Sequence, residues 1–175
     1  MLIKSLPKSN ATTVLELLDD VKQAILEEPR RANMNYLAYQ AHKGTVPWSC
    51  RLPQANGGVK YVHRDLPAPM CGTAGCFAGW VQLLVGKTPE QTTRDWTEGA
   101  VQILGSDLDY YFFGPDGSPH HVFNWGEGGD GIVDIKPGTR AYARAVVRRI
   151  NGFIERNGGR KGPLATRPLN VSITR

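Results

Sequence analysis

Cys71 and Cys76 lie five residues apart in the stretch Met70-Cys71-Gly72-Thr73-Ala74-Gly75-Cys76-Phe77-Ala78-Gly79-Trp80. Thr73 between them has the chemistry of a helix cap, and the apolar run after it has the spacing of a buried helix. Thiols at the mouth of a helix face unpaired backbone amides and the positive end of the dipole. That setting favours a thiolate. With a nearby base, such a thiolate is a nucleophile. The catalytic reading therefore takes Cys71 or Cys76 as nucleophile and His121 as base, with His63 and His120 as other imidazoles within reach in sequence.

Two other chemistries use the same sulfurs. Cysteine is a small hydrophobe that is often buried. Cys76 precedes Phe77 and stands one turn before Trp80, which suits a core position. Alternatively, Cys50, His63, Cys71 and Cys76 supply a Cys3His set for zinc. The gap between Cys71 and Cys76 is at the wide edge of ligand spacing, and Cys50 lies in a proline-rich stretch. No cofactor is expected; zinc at these four residues, and weak calcium binding in the loop over 126–131, are the alternatives. The order cysteine, His121, Asn124 is that of papain-like enzymes, but this histidine–asparagine separation is too short for them. Gly126-Glu127-Gly128-Gly129-Asp130-Gly131 is glycine-rich without the lysine of a phosphate loop, and its two acids would repel phosphate.

A second functional signal is charge. From Lys136 onward there are ten Lys and Arg against one acid, Glu155; the preceding 135 residues hold eleven against fifteen. A basic final quarter on a mildly acidic body points to an anionic partner or to a solvated face. Arg140, Arg144 and Arg148 recur at i, i+4 and i+8, with Arg149 beside them and Arg160 and Lys161 beyond. These six residues form the candidate partner-binding surface. The partner is expected to be a protein or a second copy of the chain, with nucleic acid as the alternative. No helix-turn-helix or zinc-finger signature supports base reading.

The elements that must position these residues are mostly helical. Thr12-Thr13 offers caps for a helix in which Val14, Leu17, Leu18, Val21 and Ile25 form one face, and Pro29 stops it. A second helix is predicted over 31–41, a third from Thr73 to Val85 closed by Gly86, and another over 97–104 before Gly105. Thr88-Pro89-Glu90 is a further start signal. Residues 107–113 read as an aromatic turn or short helix, and 114–137 as loop. Thr139 begins the last strong helix, which Asn157-Gly158-Gly159 ends. Residues 44–69 carry four prolines and Asn56-Gly57-Gly58, which predicts either a small hairpin or an irregular excursion.

At 175 residues the chain is long enough for one proper core, and 41% hydrophobic with 21% charged residues is a globular balance. No apolar run approaches the roughly 20 residues of a membrane span, and Met1–Asn10 lacks a signal-peptide core. A cytoplasmic protein with no membrane partner is expected. In that compartment a Cys71–Cys76 disulfide would not persist.

The Cys-Gly-Thr-x-x-Cys-x-Ala-Gly-Trp motif at 71–80, the apolar helix after it and Gly86 resemble a group of small uncharacterised proteins common in bacteriophages and actinobacterial genomes. With the leading helix and Ala100-Val101-Gln102-Ile103-Leu104-Gly105, the resemblance covers about residues 14–30 and 70–113. It carries no activity, but implies a phage setting: host interaction, anti-defence or a place in the virion, in the host cytoplasm. Residues 44–69 and the basic tail depart from the group.

The fold expected is mainly α: a single compact domain of about five or six helices over 1–159, a small β-hairpin as an option within 44–69, and a basic tail over 160–175. The leading expectation for function is a non-enzymatic phage-type accessory protein that binds a macromolecule through its basic C-terminal helix and tail. A cysteine-dependent hydrolase or transferase, and a non-specific nucleic-acid binder, are the alternatives.

Overall fold

The computed structural model describes residues 6–33, 38–40, 44–71, 73–92, 96–113, 119–121, 135 and 138–171. Helix α1 runs Val14–Glu27 behind Thr13, whose hydroxyl accepts from the Glu16 amide at 3.3 Å. Glu16 returns the bond: its Oε2 accepts from the Thr12 and Thr13 amides at 2.7 and 3.1 Å. Such a capping box is worth about 1 kcal/mol. Val14, Leu17, Leu18, Val21 and Ile25 are wholly buried along one face of α1.

Helix α2, Phe77–Leu84, is buried on every side and forms the centre of the core. Helix α1 packs on α2 and α4, and α2 packs on α3, Trp96–Leu104. Helix α4, Arg140–Arg156, is capped by Thr139, whose hydroxyl accepts from the Tyr142 amide at 3.3 Å. Its Phe153 ring stacks on Tyr110 at 5.3 Å and meets Phe77 at 6.4 Å. Each large apolar side chain buried here contributes about 1.5–3 kcal/mol.

Six strands form three separate two-stranded antiparallel sheets among the described residues. Strand β1, Ala38–Gln40, pairs with β4, Thr73–Gly75; β5, Tyr111–Phe113, pairs with β6, Pro119–His121. The largest sheet joins β2, Thr45–Pro53, to β3, Val59–Pro67. Gly57 turns this hairpin at φ +77°, donating to the Gln54 carbonyl at 3.0 Å.

The expectation of a mainly α fold with five or six helices is therefore corrected to four α-helices with three small sheets among the described residues. The described part of 31–41 is not helical: a 3-10 turn spans Pro29–Arg31, Ala32 bridges to Gly75, and β1 pairs with β4. Met34 and Leu37, assigned to that helix, lie outside the described residues. Thr73 caps no helix, because it sits in β4. Residues 111–113 form a strand rather than a turn or helix. Thr88-Pro89-Glu90 starts a 3-10 turn, Pro89–Gln91, with its own capping box.

The segment after α4 lies on the domain. Gly158 and Gly159, at φ +98° and +70°, reverse the chain. A 3-10 turn over Pro163–Ala165 then buries Leu164. The Arg167 carbonyl accepts from the Val14 amide at 2.9 Å, and Leu169 and Asn170 donate to the carbonyls of Thr12 and Ile103 at 3.3 and 3.2 Å. This run supplies an acceptor to the first turn of α1, where helix amides lack partners.

Candidate functional site

The sulfur cluster is core. Cys71 is 3% exposed and its thiol donates to the Thr73 carbonyl at 3.4 Å. Cys76 is buried and is itself the N-cap residue of α2, without a side-chain capping bond. Two effects compete at this sulfur. Desolvation raises its pKa, while amides including those of Gly79 and Ala78 lower it. Desolvation wins, and the Cys76 thiol is pushed up to about 11. A thiol so held is protonated near neutrality, the opposite of an activated nucleophile.

The proposed partners of these sulfurs lie on other elements. His121 ends β6 opposite Tyr111. Cys50 stands opposite Val62, and His63 opposite Ser49, in successive pairs of the β2–β3 ladder. Strand alternation therefore assigns Cys50 and His63 to opposite faces of the hairpin. The side chains of Cys50, His63 and His121 lie outside what the structure describes, as do Asn124 and residues 126–131. Among the described residues, no group of three or more His, Cys, Asp or Glu converges.

Around the sulfurs stands a buried polar frame. Trp80, in the middle of α2, donates its indole N–H to the Arg31 carbonyl at 2.9 Å. The Arg31 guanidinium is itself buried, donating through Nη1 to the Ala24 carbonyl at 2.9 Å. Its Nε lies 3.6 Å from Glu28 Oε2, within ion-pair but beyond hydrogen-bond distance. Asn33 is buried beside it, its amide donating to the Pro47 carbonyl at 2.9 Å. These contacts tie α1, α2 and the base of the β2–β3 hairpin together. Nothing in the spacing of Arg31 or Asn33 marks them as interior residues.

The six basic candidates separate into two kinds. Arg140, Arg144 and Arg148 are exposed on one stripe of α4, and Lys161 is exposed just beyond it. Among the described residues no ion pair or hydrogen bond engages any of these four side chains. Arg149 is different: it is 7% exposed, on the core side of α4, and desolvation pulls its guanidinium down to about 10. Arg160 is held by Asp19, with bonds of 3.0 and 2.6 Å. Two further basic residues of the C-terminal quarter are likewise engaged, Arg156 by Asp109 and Arg167 by Asp107. Part of the basic excess is thus paired within the chain, and among the described residues of this quarter the unpaired exposed cations are Arg140, Arg144, Arg148 and Lys161.

The stripe is poorly placed for stability. Arg140 opens α4, at the positive end of the helix dipole, and the first turn of α4 holds no acid. Like charges at i, i+4 and i+8 repel one another.

Comparison with protein-family models, with curated proteins and with solved structures gives no match for this chain. Among the described residues no helix is long and apolar enough to cross a membrane.

Proposed function

We propose that this chain is a non-enzymatic binding protein whose exposed α4 stripe engages a macromolecule with a negatively charged face. The observation that carries the reading is the row Arg140, Arg144, Arg148: exposed, matched by no acid among the described residues, like-charged along one stripe, and with Arg140 set against the helix dipole. Positions that break a local stability rule without internal compensation are where function is to be sought. The resemblance of the 71–80 motif to phage and actinobacterial proteins adds the setting of a phage-type accessory protein. The buried, protonated Cys76 favours the binding reading over thiol catalysis.

The test compares wild type with Arg140→Ala/Arg144→Ala/Arg148→Ala on a heparin column and in capture from host lysate. Arg149 is kept, because it belongs to the interior. The variant should elute at clearly lower salt and lose the captured partner. Equal elution and equal capture by a folded variant would sink the proposal.

A further inference from the structure

The β2–β3 hairpin is an arm. Each strand has nine residues, which gives a ribbon about 30 Å long. Neither strand packs broadly on another described element. Among the described residues, the arm's hydrogen bonds to the rest of the chain lie near its base. Val46 is buried, the Pro47 carbonyl accepts from Asn33, and the Ala68 amide donates to the Gly44 carbonyl at 2.9 Å. The tip residues Gln54, Ala55, Asn56 and Gly57 are exposed. A two-stranded ribbon with so little to bury against is marginal in water by itself.

The arm meets α4 at one junction. A β-carbon built on Gly138 would lie 3.5 Å from Leu66 Cδ1 and 3.5 Å from Arg30 Cγ. Gly138 immediately precedes the Thr139 cap and Arg140. In β3 the two-residue period places Lys60, Val62, Arg64 and Leu66 on one face, so the face that touches the start of α4 also carries Lys60 and Arg64. Both cations are exposed, and among the described residues neither is engaged by an acid. Asp65 belongs to the other face. From the junction, Arg140, Arg144 and Arg148 climb α4 over about 12 Å. Lys60 stands about 20 Å out along β3, with Arg64 between it and the junction.

Resting on the α4 reading above, we infer that arm and helix together form one cradle for the backbone of a duplex DNA, with the ribbon along the groove and α4 on the flanking phosphates. Five cations that no described acid engages, set along two limbs, suit a polymer with one charge per about 1.7 Å. A two-stranded ribbon fits the roughly 12 Å major groove. Binding is directed at the backbone and is independent of sequence.

The experiment uses the full chain and a fluorescein-labelled mixed-sequence DNA duplex of about 30 base pairs, read by anisotropy between about 50 and 200 mM salt. Wild type should bind, with log K falling on log salt at a slope near −4.5 for five phosphate contacts, or about −0.9 each. Lys60→Ala/Arg64→Ala should flatten the slope by about 1.8, and the α4 triple variant by about 2.7. Lys60→Gln/Arg64→Gln repeats the arm test, with circular dichroism confirming the fold. A wild-type slope in both arm variants overturns the inference, as does equal affinity for single-stranded DNA of the same length. No duplex binding at the lowest salt, with heparin retention still dependent on the α4 arginines, also overturns it while the α4 reading stands.

Discussion

Arg160 closes on Asp19 with two hydrogen bonds, Nη1 to Oδ1 at 3.0 Å and Nη2 to Oδ2 at 2.6 Å, joining residues 141 positions apart. The bond from Arg160 is the largest of the effects that hold the Asp19 carboxyl below its ordinary value of 3.8, and Lys22 adds to it. Asp19 with a depressed folded pKa stabilises the fold above the unfolded value and stops doing so as pH falls through the folded value. Arg160→Ala should therefore lower the melting temperature slightly at neutral pH, because exposed pairs contribute little. The difference from wild type should shrink below pH 3.8. Thermal melts across an acid pH series check this.

Cys71 and Cys76 should resist iodoacetamide in the folded protein at neutral pH and react once denaturant is added. Peptide mapping by mass spectrometry separates them from Cys50. The folded Cys76 thiol ionises near 11 and the unfolded one near 9.0, so the unfolded chain loses its proton first as pH rises. Stability should then decline between those values on account of this group, and Cys76→Ala should remove that part of the decline.

Arg148 and Arg149 are neighbours with opposite roles. Arg148→Ala should change stability by less than about 0.5 kcal/mol, as surface substitutions do. Arg149→Ala removes a buried stem and should cost about 1–3 kcal/mol. Urea denaturation of the two variants decides it; equal stabilities would contradict the placement of Arg149 in the interior.

The turn after α4 admits no side chain at Gly162. A β-carbon there would stand 2.3 Å from the Gly158 carbonyl oxygen, and the obstructing atoms are backbone. Gly162→Ala should therefore destabilise by about 1–3 kcal/mol. Because Leu164 and the Arg167 carbonyl follow this turn, the loss should appear as faster amide exchange at Val14.

Trp80→Phe keeps most of the apolar area of α2 but deletes the donor to the Arg31 carbonyl. The cost should be about 2–3 kcal/mol, from the orphaned carbonyl and the unfilled ring volume. Chemical denaturation measures it.

What the amino-acid order determined by itself is what is settled within a few residues. Thr13 with Glu16, Thr139 with the Tyr142 amide, and the positive-φ glycines after α4 are local devices, and α1 and α4 lie where those devices and their apolar spacing put them. The row Arg140, Arg144, Arg148 was legible for the same reason, since helical geometry alone aligns it. Tertiary structure decided whatever depends on a distant partner. Strand pairing with β1 took Thr73 out of the helix and left Cys76 to start it. Packing against the core separated Arg149 from Arg148, and Asp19 claimed Arg160 from the far end of the chain. Residues 38–40 lost their helical expectation to a ladder formed with residues more than thirty positions away. A helix is specified by near neighbours, whereas a sheet, a burial or an ion pair is specified by whichever surface the folded chain brings alongside.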